Sequence, residues 1–259
     1  MKLKKSSFWS KIPNWVWLLI SLGVAIALWL VAATLWPIVF ATPKQVLDAF
    51  IDKAASGVLW GHVWASLSRV LSGFAIAFVV SIPVAFLMAW YDPFRHVVEP
   101  WIQFIRNIPP LAYVFLIIAA LGIGQVSKVT VIFIAAFLVM VITIYQGVKS
   151  VDTTLIKAAR VLGANDTILF IRVIFPATTP FIITAVRLGI SVALTTLIAA
   201  ESTGATAGLG MRIRALSSSF EVEPMMLYII VVGIIGMVAE KVLKFFERRL
   251  TSWQEKREI

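Results

Sequence analysis

Charges are spaced so widely along this chain that its uncharged stretches set the architecture. Residues 15–36, 70–91, 107–127 and 129–148 carry no charge at all. Each is close to the ~20 residues that a helix needs to cross the hydrocarbon core of a bilayer. Two further apolar stretches are less clean. The one over about 178–200 is interrupted by Arg187, and the one over about 224–246 ends among Glu240, Lys241 and Lys244. The pattern predicts an all-α membrane protein with six transmembrane helices.

The polar positions between these stretches are unevenly basic. Lys2, Lys4, Lys5 and Lys11 precede the first, Lys149, Lys157, Arg160 and Arg172 lie between the fourth and fifth, and Arg248, Arg249, Lys256 and Arg257 follow the sixth. The alternate loops hold only Lys44 and Lys53, then Lys128, then Arg212 and Arg214. The positive-inside rule therefore places both termini and the 152–176 loop in the cytoplasm. With 60% hydrophobic and 14% charged residues the chain is not a soluble domain. Its net charge of +10 is explained by basic edges facing anionic lipid, without nucleic acid as a partner. The first apolar run is longer than the 7–15 residues of a signal-peptide core, so it reads as an uncleaved helix. There is no cysteine, which excludes disulfides and thiol chemistry.

Shorter signals sit between the spans. Thr42, Pro43 and Gln45 form a capping box with proline at the first helical position, and Gly57 is a plausible stop. The apolar residues Val46, Leu47, Phe50, Ile51 and Ala54 recur at helical spacing. Such a helix lies on the outer membrane surface or packs on the spans. Asn107, Pro109 and Pro110 break the third span near its inner end, because the prolines deprive the Ile105 and Arg106 carbonyls of helical partners. The break either lines a pathway or is a structural kink. The glycines between Glu201 and Gly210 lack the Lys-Ser/Thr pair of a phosphate loop and read as a tight, flexible external loop.

Candidate chemistry is sparse. Arg69, Arg106 and Arg187 fall in or near spans, where a charge is a functional candidate. Arg187 is nine residues beyond Thr178, ~14 Å along a helix. It can snorkel toward the cytoplasmic side, and pairing or snorkelling serves for all three. Glu201 either pairs with an arginine or faces a cavity. His62 and His96 fall in loops on opposite sides, acidic residues do not cluster, and no metal site can be assembled. No Gly-x-Ser-x-Gly elbow exists, so an intramembrane enzyme is disfavoured and no catalytic residue is named.

The 152–176 loop has its own periodicity. Thr153 or Asp152 caps a helix on which Leu155, Ala158, Ala159 and Leu162 share a face, and Gly163 stops it. Asn165 or Asp166 caps a second helix over 167–175, which Pro176 ends. The small alanines flanked by leucines form a low surface suited to a groove on another protein, or to folding back on the bundle's base. The residues fit both.

Lys157, Ala158 and Ala159, then Gly163, then nine residues, then Val173, Ile174, Phe175 and Pro176 resemble a known loop. It is the Glu-Ala-Ala-x3-Gly-x9-Ile-x-Leu-Pro loop of bacterial ATP-binding-cassette (ABC) importer permeases. Lys157 stands where glutamate is usual and Phe175 where leucine is. Residues 66–70, the run from Arg106 to Ala112, Gly122 with Gly124, and Glu201 with Gly208 and Gly210 look like the branch that imports nitrate, taurine and aliphatic sulfonates. The resemblance implies the type I importer permease fold, with an added N-terminal region (1–60), a permease core (61–247) and a basic tail (248–259). It implies a second permease copy and two ATPase subunits docked on the coupling loop through Leu155, Lys157, Ala158, Ala159, Leu162, Gly163, Asp166 and Pro176. An extracytoplasmic substrate-binding protein would deliver the solute. ATP and Mg2+ would belong to the ATPase, with no cofactor in this chain, and the bacterial inner membrane would be its location. Arg69, Arg106, Asn107, Pro109, Pro110, Arg187 and Glu201 would be candidates for the pathway or gate. An ion-coupled secondary transporter or channel is the other reading, but it needs an ionisable residue near the midplane, and none is evident.

Overall fold

A computed structural model describes residues 13–250. Within them the chain forms eleven α-helices: α1 (Asn14–Leu35), α2 (Pro43–Ala55), α3 (Val58–Trp90), α4 (Asp92–Arg106), α5 (Pro110–Leu121), α6 (Gln125–Lys149), α7 (Thr153–Val161), α8 (Asp166–Leu169), α9 (Phe175–Ser202), α10 (Leu209–Ser218) and α11 (Val222–Leu250). The basic residues before position 13 and the tail beyond 250 lie outside the described residues. α1, α3, α6, α9 with the turns leading into it, and α11 are each long and apolar enough to span a bilayer.

The third span is built differently from its sequence pattern. α5 has 12 residues, about 18 Å of rise, too short to cross alone. It joins α4 at a bend of 107°. The bend sits at Asn107–Pro109, where the prolines were expected to break the helix. The Ile105 carbonyl is not orphaned, because it accepts the Ile108 N–H at 2.9 Å in a tightened last turn.

α6 is the axis of the bundle, with α3 and α9 packed along it. Ile132, Ala136, Met140 and Ile144 of α6 meet Val70, Ala77 and Met88 of α3 and Ala185, Ala193 and Leu197 of α9 in one core. Lipid tails give apolar helices little reason to prefer one another, so close backbone approach at small residues has to hold them together. Gly73 provides it on α3: a Cβ there would stand 2.8 Å from Ile132 Cγ2. Gly189 on α9 does the same against Met140.

The peripheral elements follow their local signals. Thr42 and Gln45 complete the capping box of α2, which packs on α11 through Val46 and Leu227 rather than lying free on the surface. His62 and His96 fall within α3 and α4, not in loops, because α3 begins well before its uncharged stretch and α4 is a separate helix between the second and third stretches.

Two ends can now be distinguished. At one, α3 finishes, α6 finishes, and α7 and α8 emerge. At the other, the start of α3, the end of α5, the start of α6, the end of α9 and α10 converge around Glu201.

Candidate functional site

At the α7 end the chain builds a sharp corner outside the spans. The Asp152 carboxylate caps α7 by accepting the Thr154 N–H at 2.7 Å, and this bond holds its pKa below the usual value. Gly163, at φ +84°, closes the helix. Its N–H bonds the Arg160 carbonyl and the Ala164 N–H bonds the Ala159 carbonyl, each at 3.0 Å, which is the Schellman arrangement. Asn165 then caps α8 by accepting the Ile168 N–H at 2.8 Å.

Pro176 does not end the second helix. α8 passes through a π turn over Phe170–Ile174 into α9, which continues to Ser202. The proline lies in the first turn of α9, where its missing N–H costs least, and the wider turn before it accommodates the ring.

What fixes this corner on the bundle is aromatic. The Phe170 ring meets Phe86 edge-to-face at 4.8 Å and Trp90 at 6.3 Å, both near the end of α3. Leu169 and Ile174 are buried beside it. Arg160 pairs with Asp166 across the bend, but both side chains are largely exposed, so the pair is worth at most ~1 kcal/mol. Burial of the aromatic contacts therefore dominates.

The expected face of α7 divides in two. Ile156 and Ala159 turn toward the core. Leu155 is 53% exposed, Leu162 87% and Val161 87%, and Ala158 and Lys157 are exposed with them. Val161 was not anticipated; its β-branched apolar side chain was not distinguishable from one that packs inward. An apolar tip left this open has area still to bury, and each fully buried residue of this size gains about 1.5–3 kcal/mol.

At the opposite end a polar cluster is folded shut. Arg69 of α3 donates to Glu201 of α9, to Gln125 of α6 and to the Ala207 carbonyl. Ser66 donates to Glu201 at 2.9 Å, and the Gly210 N–H reaches it at 2.8 Å. The Gly208 N–H bonds His62 Nδ1 and the Leu209 N–H bonds Ser66 Oγ. The glycine loop is thus a packed lid rather than the flexible loop expected from its composition. Gly208 holds φ +131°, and a Cβ there would strike the Glu201 carboxylate.

The predicted pathway residues therefore separate. Arg69 and Glu201 are a buried pair. Arg106, Asn107 and Pro109 are exposed at the α4–α5 corner with Pro110 half-buried. Arg187 pairs with Glu247, tying α9 to α11. Ser66, Gln125 and Lys128 join the Glu201 cluster, although none was named as a site residue and Ser66 was read only as part of the 66–70 motif. Lys128 had a signal, as the one charge between two uncharged runs, but a loop charge leaves the same trace.

These features meet in a known family. Residues 78–252 match the family model of the binding-protein-dependent transport system inner membrane component. The chain belongs to this family. It is an ABC-importer permease, a multi-pass membrane component of a transport system. The chain is 44% identical over 238 residues to a probable ABC transporter permease of Brucella abortus (strain 2308), covering 92% of this chain and 95% of that protein. It is 34% identical to the taurine transport system permease TauC of Escherichia coli (strain K12), covering 90% and 88%, and 31% identical to the nitrate import permease NrtB of Synechocystis, covering 83% and 78%. Among solved structures, a chain of the inward-facing MetNI methionine ABC transporter shares the fold with a TM-score of 0.68 at 18% identity, over 75% of this chain and 96% of that one. Membership implies an ATPase and a substrate-binding protein as partners, and it does not favour an ion-coupled carrier or channel.

Proposed function

We propose that this permease works as a homodimer whose two α7–α8 corners each seat one ABC ATPase subunit. The observation that carries the reading is the apolar tip of Leu155, Val161 and Leu162, held out of the bundle on a corner that the aromatic contacts make rigid. Lys157, Ala158, Ala159, Gly163, Asp166 and Pro176 belong to the same corner and shape it. The ATPase supplies ATP and Mg2+ chemistry. Its closure on ATP draws the two corners together, and the bundles exchange inward for outward opening. Each state must bind its partner surface differently, because a ligand shifts an equilibrium only by its differential affinity.

The charge distribution supports cytoplasmic termini and a cytoplasmic coupling loop in a bacterial inner membrane. A substrate-binding protein then meets the Glu201 end. The relatives named for taurine and nitrate support a small anionic solute of the sulfonate or nitrate kind, and the α4–α5 corner and Arg187 remain candidate pathway elements.

The test is purification from the native membrane with mass spectrometry of the associated chains. An ATPase carrying a Walker motif is expected to co-purify, and Leu162→Asp is expected to release it while the permease keeps its melting midpoint. Retention of the ATPase by a folded Leu162→Asp permease would remove the docking assignment.

A further inference from the structure

The Glu201 cluster leaves one positive charge unanswered, and that charge faces a cavity. Lys128 stands in the first turn of α6 with only 3% of its surface exposed. Its ammonium donates to the Gly124 carbonyl at 3.1 Å and the Gly204 carbonyl at 3.3 Å. An ammonium has three N–H donors, so one is left over. Glu201 does not serve it, because its oxygens are engaged by Arg69, Ser66 and the Gly210 N–H. Arg69 in turn uses Nε and Nη1, and its Nη2 has no acceptor among the described residues. Two buried cations are thus set against one carboxylate.

Both cations line a cavity of about 290 Å³, together with Gln125, Gly124, Gly204 and Thr206. That volume is at the lower end of the roughly 300–1,000 Å³ usual for small-molecule sites, which suits an ion or a solute of a few heavy atoms. The N-terminus of the 25-residue α6 opens on the same space, so its first amides and its dipole add to the positive field. A buried charge at a membrane edge is costly unless paired. Cavity, leftover donors and uncompensated charge all ask for the same thing.

We propose that this cavity is a binding site for one small monovalent oxyanion, of the sulfonate, nitrate or carboxylate kind. Lys128 Nζ and Arg69 Nη2 hold its oxygens, and Gln125 and Thr206 border it. The excess of one charge sets the preference for a monoanion. The site deepens the anionic-solute reading of the transported class and rests on it for its place in transport, though binding itself is independent of any ATPase.

The probe is sodium ethanesulfonate, titrated calorimetrically into the permease in phosphatidylcholine nanodiscs at fixed ionic strength. Saturable binding is expected, weakened at least about tenfold in Lys128→Met and retained in Lys128→Arg, with both variants checked for an unchanged elution volume and melting midpoint. Equal affinity in a folded Lys128→Met, or no binding by the wild type, overturns the site. The same titration in discs containing phosphatidylglycerol separates a free solute from a lipid phosphodiester. Unchanged affinity supports the solute site, whereas competitive loss assigns the cavity to lipid and overturns it. If ATPase co-purification holds while ethanesulfonate does not bind, only this inference fails.

Discussion

Gly147 of α6 and Phe181 of α9 are packed so closely that a Cβ on the glycine would overlap the Cβ and ring of the phenylalanine. Gly189 meets Met140 in the same way farther along the helix pair, with a Cβ falling 2.7 Å from Met140 Cγ. Alanine at either position overpacks the α6–α9 seam, and such insertions typically cost about 1–3 kcal/mol. The two sites should differ. Methionine is flexible and can swing aside, whereas Phe181 is met at its rigid root. Gly147→Ala is therefore expected to lower the melting midpoint of the purified permease more than Gly189→Ala. The reverse order would contradict the contact assignment.

The Arg69–Glu201 pair is fully desolvated, so removing one partner strands the other. Arg69→Met or Glu201→Gln alone should destabilise by about 3–5 kcal/mol. The double variant should lose clearly less than the sum of the two, because neither member of the pair is then left without the other. Reversible unfolding of all four proteins in one detergent measures the coupling. Strict additivity would mean that the pair does not interact in the membrane-embedded protein.

Gly163 has open space around the position of a side chain, so a substitution there is opposed by the backbone alone. A β-branched residue at φ +84° costs about 1–2 kcal/mol, and asparagine tolerates the region better. Gly163→Val should impair ATPase association while leaving the bundle's melting midpoint unchanged, and Gly163→Asn should recover most of the association. Equal behaviour of valine and asparagine would show that corner geometry is not what the partner reads.

The cap of α7 should respond to acid. Asp152 has its pKa lowered in the folded state from 3.8 by the Thr154 N–H, so its contribution to α7 is present above the unfolded value and lost as pH falls through the folded one. The chain has no native cysteine, so a spin label on Leu162→Cys reports the corner without background. Its mobility should rise as pH drops below 3.8. With Asp152→Asn, which caps without titrating, that rise should be absent. A rise that persists in Asp152→Asn would place the acid sensitivity elsewhere.

Much of this architecture was legible before any coordinates. Uncharged runs of bilayer length mark the spans because lipid penalises every charge placed within it. The capping box at Thr42, the stop at Gly163 and the break at Asn107–Pro110 were legible because each depends on backbone groups a few residues apart. Where a local signal misled, a neighbour overrode it. Pro176 should have ended a helix, but the π turn held by Phe170 against Phe86 and Trp90 carries the chain through it.

The polar cluster at Glu201 was decided only by tertiary structure. Its pair is separated by 132 residues, and neither Arg69 nor Glu201 carries a mark that names the other. The glycine loop looked mobile by composition, yet its amides are spent on His62, Ser66 and Glu201. Lys128 read as a loop charge because hydropathy registers where a charge stands in the chain and not which helices close around it. Sequence determined most of the spans, the caps and the α7–α8 corner through short-range rules. Only the packing of α3, α6 and α9 decided which charges are buried together and which one is left facing a cavity.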